Sequence, residues 1–234
     1  MYLDNQSGRG VRVAVVDSGV YGAHPHVAGV AGGIALHADG RVSADYVDRL
    51  GHGTAVAAAI KEKAPDCAIF AIRIFWSSLS TDIDTLARGI AEAANHGSAV
   101  INLSLGTAEL MHRERLQSAV LCARRAGAIV VAARDDGGVL WLPGSLDDVI
   151  GVRADAVLDR SAYRVEMVEN RPVLVTSPYP RDIPGVPRER NLNGVSFAVA
   201  NASGFVARAL EISSGGDIEA LFAKLQEATC APIG

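Results

Sequence analysis

The chain has 234 residues, 49% hydrophobic and 21% charged, which suits one domain of the α/β size class with a sizeable core and excludes a disordered or fibrous chain. Its 22 basic and 26 acidic residues give a formal charge of -4, with no long run of either sign to form a nucleic-acid or membrane footprint. Apolar stretches such as 128–133 fall far short of the roughly 18 residues that span a bilayer, so no membrane partner is expected.

In chain order, residues 1–6 carry neither a basic start nor an apolar stretch of the secretory kind, which predicts no signal peptide. Short β-branched runs follow at 11–16, 68–74, 99–103, 128–131 and 149–152, nearly continuous in apolar character as strands buried on both faces are. Between them, Ile83, Leu86, Ala87, Ile90, Ala91 and Ala94 recur at helical spacing up to the stop at Gly97. A second helix runs over about 112–126, with Leu116, Ala119, Val120 and Ala123 on one face and Gly127 at its end. Strand-helix repetition with short connections predicts a doubly wound, mainly parallel α/β sheet with helices on both faces, whose ligands belong at the carboxyl ends of the strands.

Residues 154–194 hold Pro172, Pro178, Pro180, Pro184 and Pro187 and predict irregular loops, with a hairpin around Glu169 and Asn170. From 196 to about 212, Ala198, Ala200, Ala202, Ser203 and Gly204 predict a buried small-residue helix. A last amphipathic helix spans 217–228, with Ile218, Leu221, Phe222 and Leu225 inward. No linker divides residues 1–234. Cys67, Cys122 and Cys230 are odd in number, which fits reduced thiols in a cytoplasm, and Cys67 and Cys122 read as core.

Three residues stand where chemistry is placed in such a sheet. Asp17 ends the first strand at the ligand-binding edge, where a turn cap is the alternative role. His52 sits between Gly51 and Gly53 ahead of the small residues 55–59, as a base or as an ordinary helix-start residue. Ser196 follows Gly194 into the small-residue helix, as an N-cap or as a nucleophile at a helix N-terminus that favours negative charge. Serine-type acyl transfer needs a nucleophile, a base that takes its proton and a carboxylate that orients the base, and these residues fill the three roles.

With those segments in the order Asp, His, Ser, the chain resembles the subtilisin-like serine proteases, the subtilase family, over about 8–210. The resemblance rests on residues 13–19 around Asp17, 51–57 around His52, 193–198 around Ser196, on Ala64-Pro65, and on 101–106. It implies Ser196 as nucleophile, His52 as general base and Asp17 as its orienting partner, acting on a peptide or precursor protein through an acyl-enzyme without cofactor or metal. It further implies that Ser104, Leu105 and Gly106 pair with an extended substrate. Ala132, Ala133, Gly137 and the segment at Trp141 would line the pocket for the residue before the scissile bond, with a small residue preferred if Trp141 points inward.

Three departures modify that expectation. The segment 132–138 is expected to place Asp136 at the oxyanion-hole asparagine beside the Ser196 amide, where only a protonated carboxyl donates, so activity would be slow or favoured at lower pH. In subtilisin, loss of that donor costs about 10²–10³ in rate. Val195 replaces a threonine, and 58–63 leave no room for the calcium-binding loop of secreted relatives. Together these predict an intracellular processing protease of narrow specificity, the alternative being a weak or inert peptide-binding protein of the same fold. A metal site at His24, His26 and Asp17 lacks further ligands, and no G-x-G-x-x-G turn follows the first strand.

Overall fold

Successive side chains of β1 (Arg12–Asp17) leave the strand on opposite faces, and both faces are apolar. Val13 and Val15 enter one core while Ala14 and Val16 enter another, so β1 belongs in the middle of a sheet covered on both sides. The computed structural model describes residues 3, 5–182, 185–187, 190–213 and 217–230; residues 1, 2 and 4, Pro184 and the side chain of Cys230 lie outside it. In it, β1 pairs in parallel with β4 (Ala68–Arg73) on one side and β5 (Val100–Leu103) on the other.

The sheet grows outward from that centre. Beyond β4 lie β2 (Gly32–Leu36), parallel to it, and the short antiparallel β3 (Val42–Ser43). Beyond β5 come β6 (Ile129–Ala133), β9 (Val149–Ala154) and β11 (Arg171–Thr176), all parallel, then β10 (Tyr163–Val168), antiparallel to β11. The order β10-β11-β9-β6-β5-β1-β4-β2-β3 is that of a doubly wound sheet whose winding reverses at β1. Helices α1 (His52–Lys63), α4 (Val195–Glu211) and α5 (Ile218–Cys230) cover the face of Val13 and Val15. Helices α2 (Ile83–Asn95) and α3 (Arg113–Arg125) cover the other. Asp82 caps α2 by accepting from the Thr85 amide at 2.8 Å.

The fold class is the one the sequence predicts, but some local expectations give way. The proline-bearing stretch is not irregular throughout: the hairpin expected around Glu169 and Asn170 is present, both residues having left-handed φ as a two-residue turn requires, and its strands β10 and β11 extend the main sheet. The glycine pair that opens β2 and the two-residue length of β3 keep both from registering as apolar runs. Cys67 is buried, and burial pushes its thiol up to about 11. Cys122 is exposed rather than core, because it lies off the α3 stripe formed by Leu116, Ala119, Val120 and Ala123. Among the described residues no helix is long and apolar enough to cross a membrane.

The closest helix pair is α1 against α4, and Gly204 permits it: a Cβ there would stand 2.5 Å from Lys63 Cβ and 3.1 Å from the Ile60 carbonyl oxygen. Gly204→Ala is therefore expected to destabilise the protein by about 1–3 kcal/mol through overpacking, measured as a lower urea midpoint at unchanged slope.

Candidate active site

Asp17 closes β1 with 0% of its surface exposed, so its carboxylate has to be answered inside the protein. The Ser18 amide donates to Oδ1 at 2.7 Å, and His52 Nδ1 lies 2.8 Å from Oδ1 and 2.9 Å from Oδ2. His52 is the first residue of α1, and its neighbour Gly53 lets the helix start reach the end of β1. A Cβ on Gly53 would fall 2.2 Å from the Gly19 carbonyl oxygen.

The start of α1 is organised by Asp48. Its side chain accepts from the amides of Leu50, Gly51 and Thr54 at 2.8–2.9 Å and from the Thr54 hydroxyl at 2.6 Å. Ser18 Oγ donates to Asp48 at 2.9 Å and accepts from the Gly53 amide at 2.9 Å, which joins the strand end to the helix start. Burial alone would raise the Asp48 pKa; the Thr54, Gly51 and Leu50 donors outweigh it and hold the carboxyl below the usual aspartate value. For His52, burial opposes the charged ring, but the hydrogen bond and charge of Asp17, helped by Asp48, win and hold its pKa above 6.5.

Ser196 lies in the first turn of α4, whose leading N–H groups have no intrahelical acceptor. Its hydroxyl donates to the Ser104 carbonyl at 3.0 Å, and the Ser104 hydroxyl returns a bond to the Ser196 carbonyl at 2.9 Å. Behind this exchange, buried Asn102 donates to Ser104 Oγ and accepts from Ser203 Oγ, each at 3.0 Å, tying β5 to α4. The Ser196 proton thus points to Ser104 rather than to His52, and transfer to His52 requires the hydroxyl to turn.

His52 and Ser196 line one pocket of about 270 Å³ with Ser104, Leu105, Gly106, Ala133 and Trp141, and with Phe75 and Leu79 as further apolar wall. Ala132 does not reach it: alternation along β6 turns its side chain into the opposite core. Asp136 and Gly137 do not reach it either. Gly137 and Gly138, both at left-handed φ, fold β7 (Asp135–Asp136) back on β8 (Val139–Leu140), and Asp136 emerges on the exposed side of that hairpin. Asp135 turns to Arg134 Nη1 and Arg153 Nε, each at 2.8 Å, and Arg134, only 5% exposed, also reaches Glu169. His24 and His26 pack ring against ring with centroids 5.2 Å apart, and among the described residues no group of three potential ligands could hold a metal there.

Sequence reasoning missed Asp48, Ser18, Asn102, Phe75 and Leu79. Asp48 had a readable signal, an acidic residue just ahead of a helix start; the others become visible only when β1, β5 and α4 meet.

A model of the Subtilase family matches residues 8–222. The chain is 36% identical over 153 residues to thermitase of Thermoactinomyces vulgaris, covering 58% of this chain and 50% of that protein. It is 31% identical over 218 residues to Subtilisin Savinase of Lederbergia lenta, covering 86% and 76%. The chain spans about half the length of thermitase and of other curated relatives that it matches. The crystal structure of a cold adapted subtilisin-like serine proteinase shares the fold, with a TM-score of 0.71 and 22% identity over 94% of this chain and 82% of that one.

Two predictions follow from this geometry. Because its folded pKa is raised, His52 adds stability that is fully present below 6.5 and lost as pH rises through the folded value; NMR titration should place that value above 6.5, and Asp17→Asn should lower it by removing the largest favourable cause. Asp48→Ala should cost about 1–2 kcal/mol by denaturant titration; the Asp48 contribution is present above the ordinary value of 3.8 and lost as pH falls through the lower folded one.

Proposed function

This chain belongs to the subtilase family, and from that premise we propose that it is a serine endopeptidase in which Asp17, His52 and Ser196 act as a triad. The observation that carries the reading is the two-oxygen hold of Asp17 on His52 Nδ1 at the edge of a pocket that Ser196 also lines. With Nδ1 engaged, Nε2 is the nitrogen that can take a proton. The Ser196 hydroxyl turns from the Ser104 carbonyl to Nε2, its oxygen bonds to the substrate carbonyl carbon, and its proton passes to His52. The imidazolium then gives that proton to the leaving amine as the C–N bond breaks. Water, activated by the same nitrogen, hydrolyses the acyl-enzyme.

The developing oxyanion is assigned to the Ser196 amide in the first turn of α4, where unpaired N–H groups and the helix dipole favour negative charge. Ser104, Leu105 and Gly106 on the pocket rim are the residues proposed to pair with an extended peptide, and Ala133 and Trp141 to bound the side-chain pocket. We assign residues 1–234 to one peptidase domain, a small residue before the scissile bond, and a narrow processing role. A reducing, intracellular setting fits the exposed free thiol of Cys122.

The orientation of the Ser196 hydroxyl favours one second reading, a peptide-binding member of the family with little or no turnover. Labelling with a fluorophosphonate probe, read by intact mass, separates the two. Catalysis predicts a single adduct, lost in Ser196→Ala and His52→Ala, with Asp17→Asn slowed by about 10⁴ as in other triads. Labelling rate should rise with pH through the raised His52 pKa, since only the neutral ring accepts the proton. A folded chain that takes up no probe across that range would overturn catalysis and leave the binding-only reading, which a peptide-binding measurement then tests.

A further inference from the structure

The last turns of α1 and α4, the helices that open with His52 and Ser196, together border a cavity of about 330 Å³. By the rise of α1, its Lys63 end lies about 16 Å from His52. Three cations converge on it: Lys63 from α1, Arg208 from α4, and Arg160 from the turn before β10. Glu62 answers two of them, accepting from Lys63 Nζ at 2.6 Å and from Arg160 Nη2. Arg160 Nη1 also meets Asp182 at 2.9 Å on the exposed rim, and Asp159 is committed to the amide and hydroxyl of Ser161 at 2.7 and 2.5 Å.

Arg208 is left over. Among the described residues none accepts a hydrogen bond from it or pairs with it, and its Nε, like that of Arg160, is shut from solvent without an acceptor. A half-buried guanidinium is costly unless an acceptor is supplied. Burial of Lys63, together with the nearby charges of Arg160 and Arg208, outweighs Glu62 and holds the ammonium below its usual pKa.

We propose that this cavity binds a phosphate group, held by the guanidinium groups of Arg208 and Arg160 with the Lys63 ammonium as the third contact. Arg208 offers an uncommitted planar fork of N–H donors, a match to the oxygens of a tetrahedral dianion that one ammonium alone does not provide, and Arg160 joins it by sharing donors with Glu62 and Asp182. The bound group ties the end of α1 to the end of α4 and so steadies the two helices whose other ends carry His52 and Ser196. This site stands whether or not the chain cleaves peptides.

The test is calorimetric titration of the full chain with inorganic phosphate at constant ionic strength, with thermal melting in parallel. Saturable binding and a Tm rise of roughly 2–4 °C at several times the Kd are expected. Arg208→Gln should weaken binding by about tenfold or more, yet melt no lower than the native chain in phosphate-free buffer, since it removes an unanswered charge. Arg208→Lys, which keeps the charge and loses the fork, should also bind more weakly, and it serves if the glutamine variant does not fold. Glycerol phosphate in place of inorganic phosphate tells a phosphate ester from the free ion as the natural source. No saturable heat in the native chain, undiminished affinity in a folded Arg208 variant, or an equal Tm rise in native chain and variant would each overturn the proposal.

Discussion

A carboxylate with no exposed surface sits at the end of the central strand, and much of the site is arranged to answer it. Removing Asp17 from water costs several kcal/mol unless partners replace the solvent. The Ser18 amide and His52 Nδ1 do so, and His52 is within reach only because α1 begins against the end of β1. That approach depends on the absence of a side chain at Gly53 and on Asp48, which gathers the free amides of the helix start and holds Ser18 between strand and helix. The same constraint selects the ring nitrogen: once Nδ1 answers Asp17, Nε2 is left for the pocket.

Ser196 is positioned by a different means. Helix α4 is built from small residues and lies against the sheet and α1, and Asn102, Ser104 and Ser203 lock its first turns to β5 through hydrogen bonds away from water. The Ser196 hydroxyl shares in that lock through Ser104. A neutral hydrogen bond of this kind has a net worth of about 0.5–1.5 kcal/mol, so exchanging it for one to His52 is a small step beside the barrier to peptide hydrolysis. The orientation in the free chain is therefore compatible with catalysis once a substrate fills the pocket.

The charged segment after β6 has a structural use. Asp135, Arg134, Arg153 and Glu169 neutralise one another away from the pocket, and the tight turn at Gly137 and Gly138 carries Asp136 into solvent. Phe75, Leu79 and Trp141 are left as an apolar wall beside His52 and Ser196.

The sequence by itself determined what local periodicity and motif order can carry. The five apolar strands, the helices closed by Gly97 and Gly127, the small-residue helix from Ser196, and the Asp-His-Ser order were all legible, because burial on both faces and helix stops leave marks within a few residues. The strand β2 was masked by its paired glycines and β3 has only two residues, whereas the hairpin of β10 and β11 was marked by its Glu169-Asn170 turn despite the prolines around it. Cys122 was misread because one residue off a helical stripe looks like one on it. Only the tertiary structure decided that Asp136 is exposed on the β7–β8 hairpin, that Ala132 faces the other core and that Asp48 organises the helix bearing His52. These turn on which face of a hairpin or strand meets which neighbour, and that depends on contacts between segments tens of residues apart, which no local pattern encodes.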